Sequence, residues 1–196
     1  MPSKALVHAV LAAVALAAIA VWGTGTDPAR AGGTVTVPDA DPRLPVNPEA
    51  VALVRPSGLL VMDTTHEKRG AALAAVLPEG EAKALGDAGA VYVKARVGRH
   101  GEFNQGVWEF AVRDGASPAD ALDALDDLYA AGGWTEADAP AGVLLRRQVT
   151  PLVAYRAHYV RGPYVIRVEA YGPDPDRVGR EFATLLGRQL AQWPPR

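Results

Sequence analysis

The chain has 196 residues, 49% of them hydrophobic and 21% charged, with a formal net charge of −2 and no cysteine. Those proportions belong to a globular chain, and the slight acidity argues against partners such as nucleic acid. The missing cysteines exclude disulfides, thiolate zinc sites, cysteine nucleophiles and a lipid anchor on a lipobox cysteine.

Residues 1–31 begin with Lys4 in a short basic start, continue as an apolar run from Ala9 to Trp22, and end in Ala29-Arg30-Ala31. The run is about 14 residues, or about 18 with Ala5 to His8 included; crossing a bilayer takes roughly 20 and a secretory leader roughly 7–15. Two readings stand. One is a signal peptide cut after Ala31, where A-x-A fits the small pockets of signal peptidase. The other is an uncleaved N-in, C-out anchor through residues 5–22. Both place the remainder outside the cytoplasm, secreted or tethered to the cytoplasmic membrane. Loss of 1–31 removes Lys4 and Arg30 against Asp27 and takes the charge from −2 to −3.

Residues 32–48 contain Pro38, Pro42, Pro45 and Pro48 and read as an extended linker. Residues 49–196 are expected to form a single extracytoplasmic domain, since the chain beyond the leader is long enough for one ordinary core. Its first unit is a hairpin of Val51–Arg55 and Leu59–Met62 about Pro56-Ser57-Gly58. A helix over Thr65–Leu77 follows, with Thr64 and Glu67 as a capping box and Pro78 as its stop. The second unit pairs Ala90–Val97 with Val107–Arg113, where Val91, Val93, Ala95 and Val97 face inward with Trp108, Phe110 and Val112. Ser117 then caps a helix that opens on Pro118 and has Leu122, Leu125, Leu128 and Tyr129 on its apolar face. A lone strand, Val143–Val149, follows.

In the third unit Val153, Tyr155, Ala157 and Tyr159 alternate inward, as do Tyr164, Ile166, Val168 and Ala170 on the return strand. The last helix carries Val178, Phe182, Leu185, Leu186, Leu190 and Trp193 at helical spacing and stops at Pro194-Pro195. Gly115-Ala-Ser-Pro118 aligns with Gly172-Pro-Asp-Pro175, which fits an internal duplication and equally fits ordinary strand-to-helix turn chemistry. The fold class is therefore α+β: an antiparallel sheet of repeated strand-strand-helix units with helices packed mainly on one face.

Catalytic signatures are scarce. Ser3, Ser57 and Ser117 sit in the leader, a turn and a cap, and no G-x-S-x-G elbow or phosphate loop occurs. His66-Glu67 lacks the second histidine of a zinc helix, and Asp120, Asp123, Asp126 and Asp127 read as a solvated helix face. No metal or cofactor is expected. The opposite face of the sheet is more informative, because the same alternation turns Tyr92, Lys94, Arg96, Arg113, Arg156, His158 and Arg167 outward together, with Glu109, Glu169 and Tyr171 between them. Guanidinium forks and tyrosine rings suit an anionic ligand or an envelope protein, while cross-strand Arg–Glu pairing in water is the plain alternative. The function expected is a non-catalytic extracytoplasmic binding or interaction module of the bacterial cell envelope. The alternative is a cell-envelope hydrolase or transferase using Asp63 with His66, or His158. Nucleic acid is not an expected partner, a membrane is reached only through residues 5–22 if they are retained, and no oligomeric state follows.

Leader, proline-rich linker and cysteine-free α+β domain together resemble, in general layout, exported or membrane-anchored actinobacterial proteins of unknown function. The arginine and alanine bias suits a GC-rich bacterial genome. The resemblance rests on layout and implies no catalytic residues.

Overall fold

The computed structural model describes residues 53–69 and 73–195, with backbone alone for 64–69. The leader, the linker and the first residues of the expected hairpin lie outside the described residues. The elements run β1 (Leu59–Arg69), α1 (Leu73–Val76), α2 (Glu79–Asp87), β2 (Ala90–His100), β3 (Phe103–Val112), α3 (Pro118–Ala131), β4 (Thr135–Glu136), β5 (Leu144–Gln148), β6 (Val153–Arg161), β7 (Tyr164–Gly172) and α4 (Pro175–Gln192). All seven strands join one antiparallel sheet in the order β1-β2-β3-β7-β6-β5-β4. The fold is thus α+β, as expected.

The first unit differs from its expected form. Instead of a hairpin and a long helix, the chain stays extended through Arg69 and pairs with β2, shifting register between Leu60 and Met62 and again between Thr64 and Lys68. Val61, Thr64 and Thr65 are β-branched and suit a pleated ladder, and that non-local pairing overrides the capping signal at Thr64 and Glu67. Helix begins only at Leu73 and lasts four residues; it does end ahead of Pro78, as expected, and Pro78 also opens α2 as its N-cap. The first residues, Leu53–Ser57, form no strand; they strap across the sheet. The Arg96 guanidinium donates to the Leu53 carbonyl at 2.6 Å, and the backbone of Ser57 donates to Gln105 Oε1 at 3.0 Å.

The second and third hairpins form with the expected alternation except at Val91, which a register shift between Ala90 and Tyr92 leaves 38% exposed, but their apolar sides lie on opposite faces of the sheet. At the central β3–β7 junction Trp108 stands opposite Arg167 and Phe110 opposite Val165, whereas Val107 stands opposite Val168. One face therefore carries Val93, Ala95, Val97, Trp108 and Phe110, packed with Leu73, Leu77 and Leu85 and with Ala121, Leu125 and Tyr129 of α3. The other carries Tyr155, Ala157, Tyr159, Ile166, Val168 and Ala170 beneath Val178, Phe182, Leu185, Leu186 and Leu190 of α4. Helices consequently cover both faces, and packing mainly on one face does not hold.

The same geometry bears on duplication. Ser117 accepts a hydrogen bond from the Asp120 amide and Asp174 from the Arg177 amide, each ahead of a proline at the first helical position. Adjacent antiparallel strands are related by a twofold axis normal to the sheet, which would carry both following helices to one face. They lie on opposite faces, so shared capping chemistry is what the two segments have in common.

The strap fits because Gly98 leaves room for it: a Cβ there would stand 2.2 Å from the Ser57 carbonyl oxygen and 3.0 Å from Pro56 Cβ. Both obstacles are backbone or a rigid ring. Gly98→Ala is therefore expected to lift the strap and lower stability by about 1–3 kcal/mol, read as a lower urea midpoint together with faster proteolysis near Arg55. An unchanged midpoint would show that the strap contributes nothing.

Candidate functional site

The seven outward candidates do not form one surface. Tyr92, Lys94 and Arg96 lie on the α4 side of the sheet. Arg156, His158 and Arg167 lie on the opposite side, since His158 pairs with Arg167 and Arg167 with Trp108. Arg113 follows the end of β3 and is exposed. The reason is the face switch at the β3–β7 junction, which sets the polar side of one hairpin beside the apolar side of the other.

Arg156, His158 and Arg167 are therefore interior, roofed by α2 and α3. The Arg167 side chain is 1% exposed and His158 is 2% exposed. Two cations in that position need anions, and two carboxylates supply them. Glu81 of α2 reaches Arg156 Nη1 at 2.5 Å and Arg167 Nη2 at 2.9 Å. Glu169 of β7 lies 3.1 Å from Arg156 Nε and 3.9 Å from Arg167 Nη1, and its other oxygen accepts from Trp108 Nε1 at 2.9 Å. Aromatic rings close the remaining sides: Arg156 lies 5.0 Å from the Tyr129 ring and 4.9 Å from Trp134, and Arg167 lies 5.0 Å from Phe110.

Charges balance within this group. Burial pushes the Glu81 carboxyl up, but the guanidiniums of Arg156 and Arg167 outweigh it and hold the group at about 2. Burial likewise opposes the charge on Arg156, yet Glu81 holds that guanidinium well above its ordinary value. His158 accepts a hydrogen bond from Arg167 Nε at 3.1 Å through Nε2, which assigns its proton to Nδ1, and its ring stacks on Tyr129 at 5.3 Å. Burial, then the nearby Arg167 and Arg156, push its pKa well below the ordinary 6.5. It is a neutral interior acceptor facing guanidiniums, and among the described residues no carboxylate pairs with it as general acid–base work would require. A second ion pair, Arg146 to Asp126 at 2.6 and 2.7 Å, ties β5 to α3.

The other side of the sheet is built differently. Arg96 Nε lies 3.3 Å from Asp63 Oδ1, so Asp63 answers an arginine; the His66 side chain lies outside the described residues. Tyr92 donates to Glu109 Oε1 at 2.6 Å. Burial raises the Glu109 carboxyl, opposed by Tyr92 and Lys94. A pocket of about 260 Å³ opens at the β2–β3 turn, lined by His100, Phe103, Asp174 and Arg177 among others, and none of the seven candidates reaches it. Arg177 there stacks over Phe103 and meets His100 Nδ1 at 2.9 Å. Among the described residues no group of three or more histidines and carboxylates is placed to hold a metal ion.

Sequence reasoning missed Glu81 because it was in a stretch read as lying beyond a helix stop. The available signal was Pro78 followed by Glu79 and Glu81, a proline and acids at a helix start.

Removing one cation should leave an uncompensated carboxylate, so Arg167→Met is expected to destabilise by about 3–5 kcal/mol, whereas Arg167→Met with Glu81→Leu restores neutrality and recovers most of the loss. Chemical denaturation of the single and double variants checks this, and equal losses in the two would refute charge balance as the organising feature. The pH dependence has a definite sign. Glu81 and His158 are both depressed in the folded state, so the unfolded chain binds more protons and stability falls as pH falls. The His158 contribution begins to fade near 6.5, its ordinary value, and the Glu81 contribution between 4.5 and about 2. His158→Gln keeps an acceptor for Arg167 but cannot titrate, so its stability profile is expected to stay flat just below pH 6.5 where the parent declines. No protein-family model matches the chain, and no curated protein and no solved structure matches it.

Proposed function

We propose that the protein is a non-catalytic extracytoplasmic interaction module of the cell envelope, and that its partner is another envelope protein received on the strip around Tyr92, Lys94 and Arg96. The observation supporting this reading is the uneven cover of the sheet. On that side α4 lies over β6 and β7, and among the described residues β1 and β2 are crossed there by the Leu53–Ser57 strap and by no helix.

Charge decides the kind of partner. Arg156 and Arg167 are cancelled by Glu81 and Glu169, Arg146 by Asp126, and Arg96 by Asp63. The basic face that would have drawn a polyanion is thereby reduced to a locally balanced surface. Such a mixture of ring, stem and paired charge suits a protein surface of mixed polarity. Extracytoplasmic placement is supported by the leader pattern in residues 1–31 alone. Among the described residues no helix is long and apolar enough to cross a membrane.

A photo-cross-linking residue at Tyr92 or Lys94 in the native cell, with one at exposed Arg188 on α4 as control, tests the strip. A defined protein adduct from the strip positions and none from Arg188 is expected. At about 0.15 M salt, near physiological ionic strength, the full chain should pass an anionic polymer column unretained. Retention on the polymer with no protein adduct would overturn the reading. A phosphatase reporter fused after residue 48 should be active outside the cytoplasm, and an inactive one would remove the compartment.

A further inference from the structure

The two edges of the sheet are unlike. One ends in β4, which has two residues and offers little backbone to pair with. The other ends in β1, with eleven residues, where Leu59 is 75% exposed and Val61 52% exposed. Among the described residues β1 pairs with β2 alone, so half of its backbone donors and acceptors point away from the sheet. Folded proteins shorten, charge or cover such edges. The far edge is shortened, and over Leu59–Met62 this one carries no charge and, among the described residues, no cover.

We propose that the β1 edge at Leu59–Asp63 is completed by a strand from this chain's own N-terminal arm, Thr34-Val35-Thr36-Val37. Four β-branched residues in alternation suit an added strand. Val35 and Val37 share one side and give cross-strand apolar partners to Val61. Gly32-Gly33 precedes the run, and Pro38 stops it, since a proline cannot donate to the ladder. The new edge is therefore short, like the edge made by β4 on the far side, and is closed by proline.

Reach and approach agree. The described chain begins at Leu53 on the strap beside Arg96 and turns at Gly58 directly into β1, so the arm enters next to the strand it would pair with. Residues 38–52 span up to about 50 Å when extended, against about 15 Å for the five residues Leu59–Asp63. The connection can fold back even with its prolines. An attached strand also acts at an effective concentration of about a millimolar, which favours it over the β1 of a second copy at ordinary protein concentrations.

The absence of cysteine makes the test direct. Val61→Cys is combined, one pair at a time, with Thr34→Cys, Val35→Cys, Thr36→Cys, Val37→Cys and, as a control beyond the run, Ala40→Cys, in the full chain under mild oxidation. Intramolecular disulfide should form with a two-residue alternation across 34–37, at least tenfold above the Ala40 control. Uniform cross-linking through Ala40, no cross-link, or covalent dimers would each overturn the proposal, the last pointing to a second copy. In parallel, replacing Thr34–Val37 by Gly-Ser-Gly-Ser should speed amide exchange in Leu59–Asp63 at least tenfold while β6 and β7 keep their protection. Unchanged exchange at β1 would count against the added strand. Neither readout depends on an envelope partner, so each can fail independently of the strip.

Discussion

The pairing of β3 with β7 governs this molecule. Each hairpin alternates, but their junction places Trp108 against Arg167 and Val107 against Val168, so the apolar side changes face at the middle of the sheet. A sheet with one apolar half on each side cannot be covered from one side. Both helices that follow a hairpin are capped and prolyl-started alike, yet α3 must go to one face and α4 to the other, because each follows the apolar half it can bury.

The same junction explains the interior charges. Where α3 and α2 close over the second hairpin's apolar residues, they also cover the polar side of the neighbouring hairpin, and Arg156, His158, Arg167 and Glu169 are drawn under them. Glu169 alone could not balance two guanidiniums. Glu81 on α2 completes the group, which is why a nine-residue helix of low apolar content is held in place. Close packing reinforces the arrangement: a Cβ on Gly106 would stand 2.8 Å from Trp108 Nε1 and 3.0 Å from Glu169 Oε1, within the hydrogen bond that orients Glu169. The group favours one register of β6, β7 and α2 over its neighbours, since a slip of one residue would strand two cations on the wrong face.

What was legible in the sequence was local. The alternation of Val93, Ala95 and Val97, of Tyr155, Ala157 and Tyr159, and of Ile166, Val168 and Ala170 is present in the sheet, as are the caps at Ser117 and Asp174. What was not legible was relational. Nothing within the second or third hairpin says that they meet through β3 and β7, and the assumption that both apolar sides share a face assembled seven polar residues into a surface that the register divides. The stretch from Thr64 to Leu77 failed for a related reason. A capping box is a local preference worth on the order of 1 kcal/mol, and an antiparallel ladder with β2 outweighs it through many backbone bonds that no short window reveals.

Two-sided coverage also determines where the molecule can meet anything else. Helices α1, α2 and α3 serve the second hairpin on one side, and α4 serves the third on the other. Among the described residues, what is left with the least cover is the α4 side of β1 and β2, crossed by the strap, and the long edge beside it. Two of the strap's hydrogen bonds hold its beginning, Arg96 to the Leu53 carbonyl and the Val54 amide to Gln189 Oε1 of α4, and so place the start of the described chain between the last helix and the β1 edge. The described chain thus starts beside a part of the sheet that no helix among the described residues covers. The proposed strand would meet exposed Val61 and the β1 edge, which among the described residues pairs with β2 alone, before any surface closed by α4.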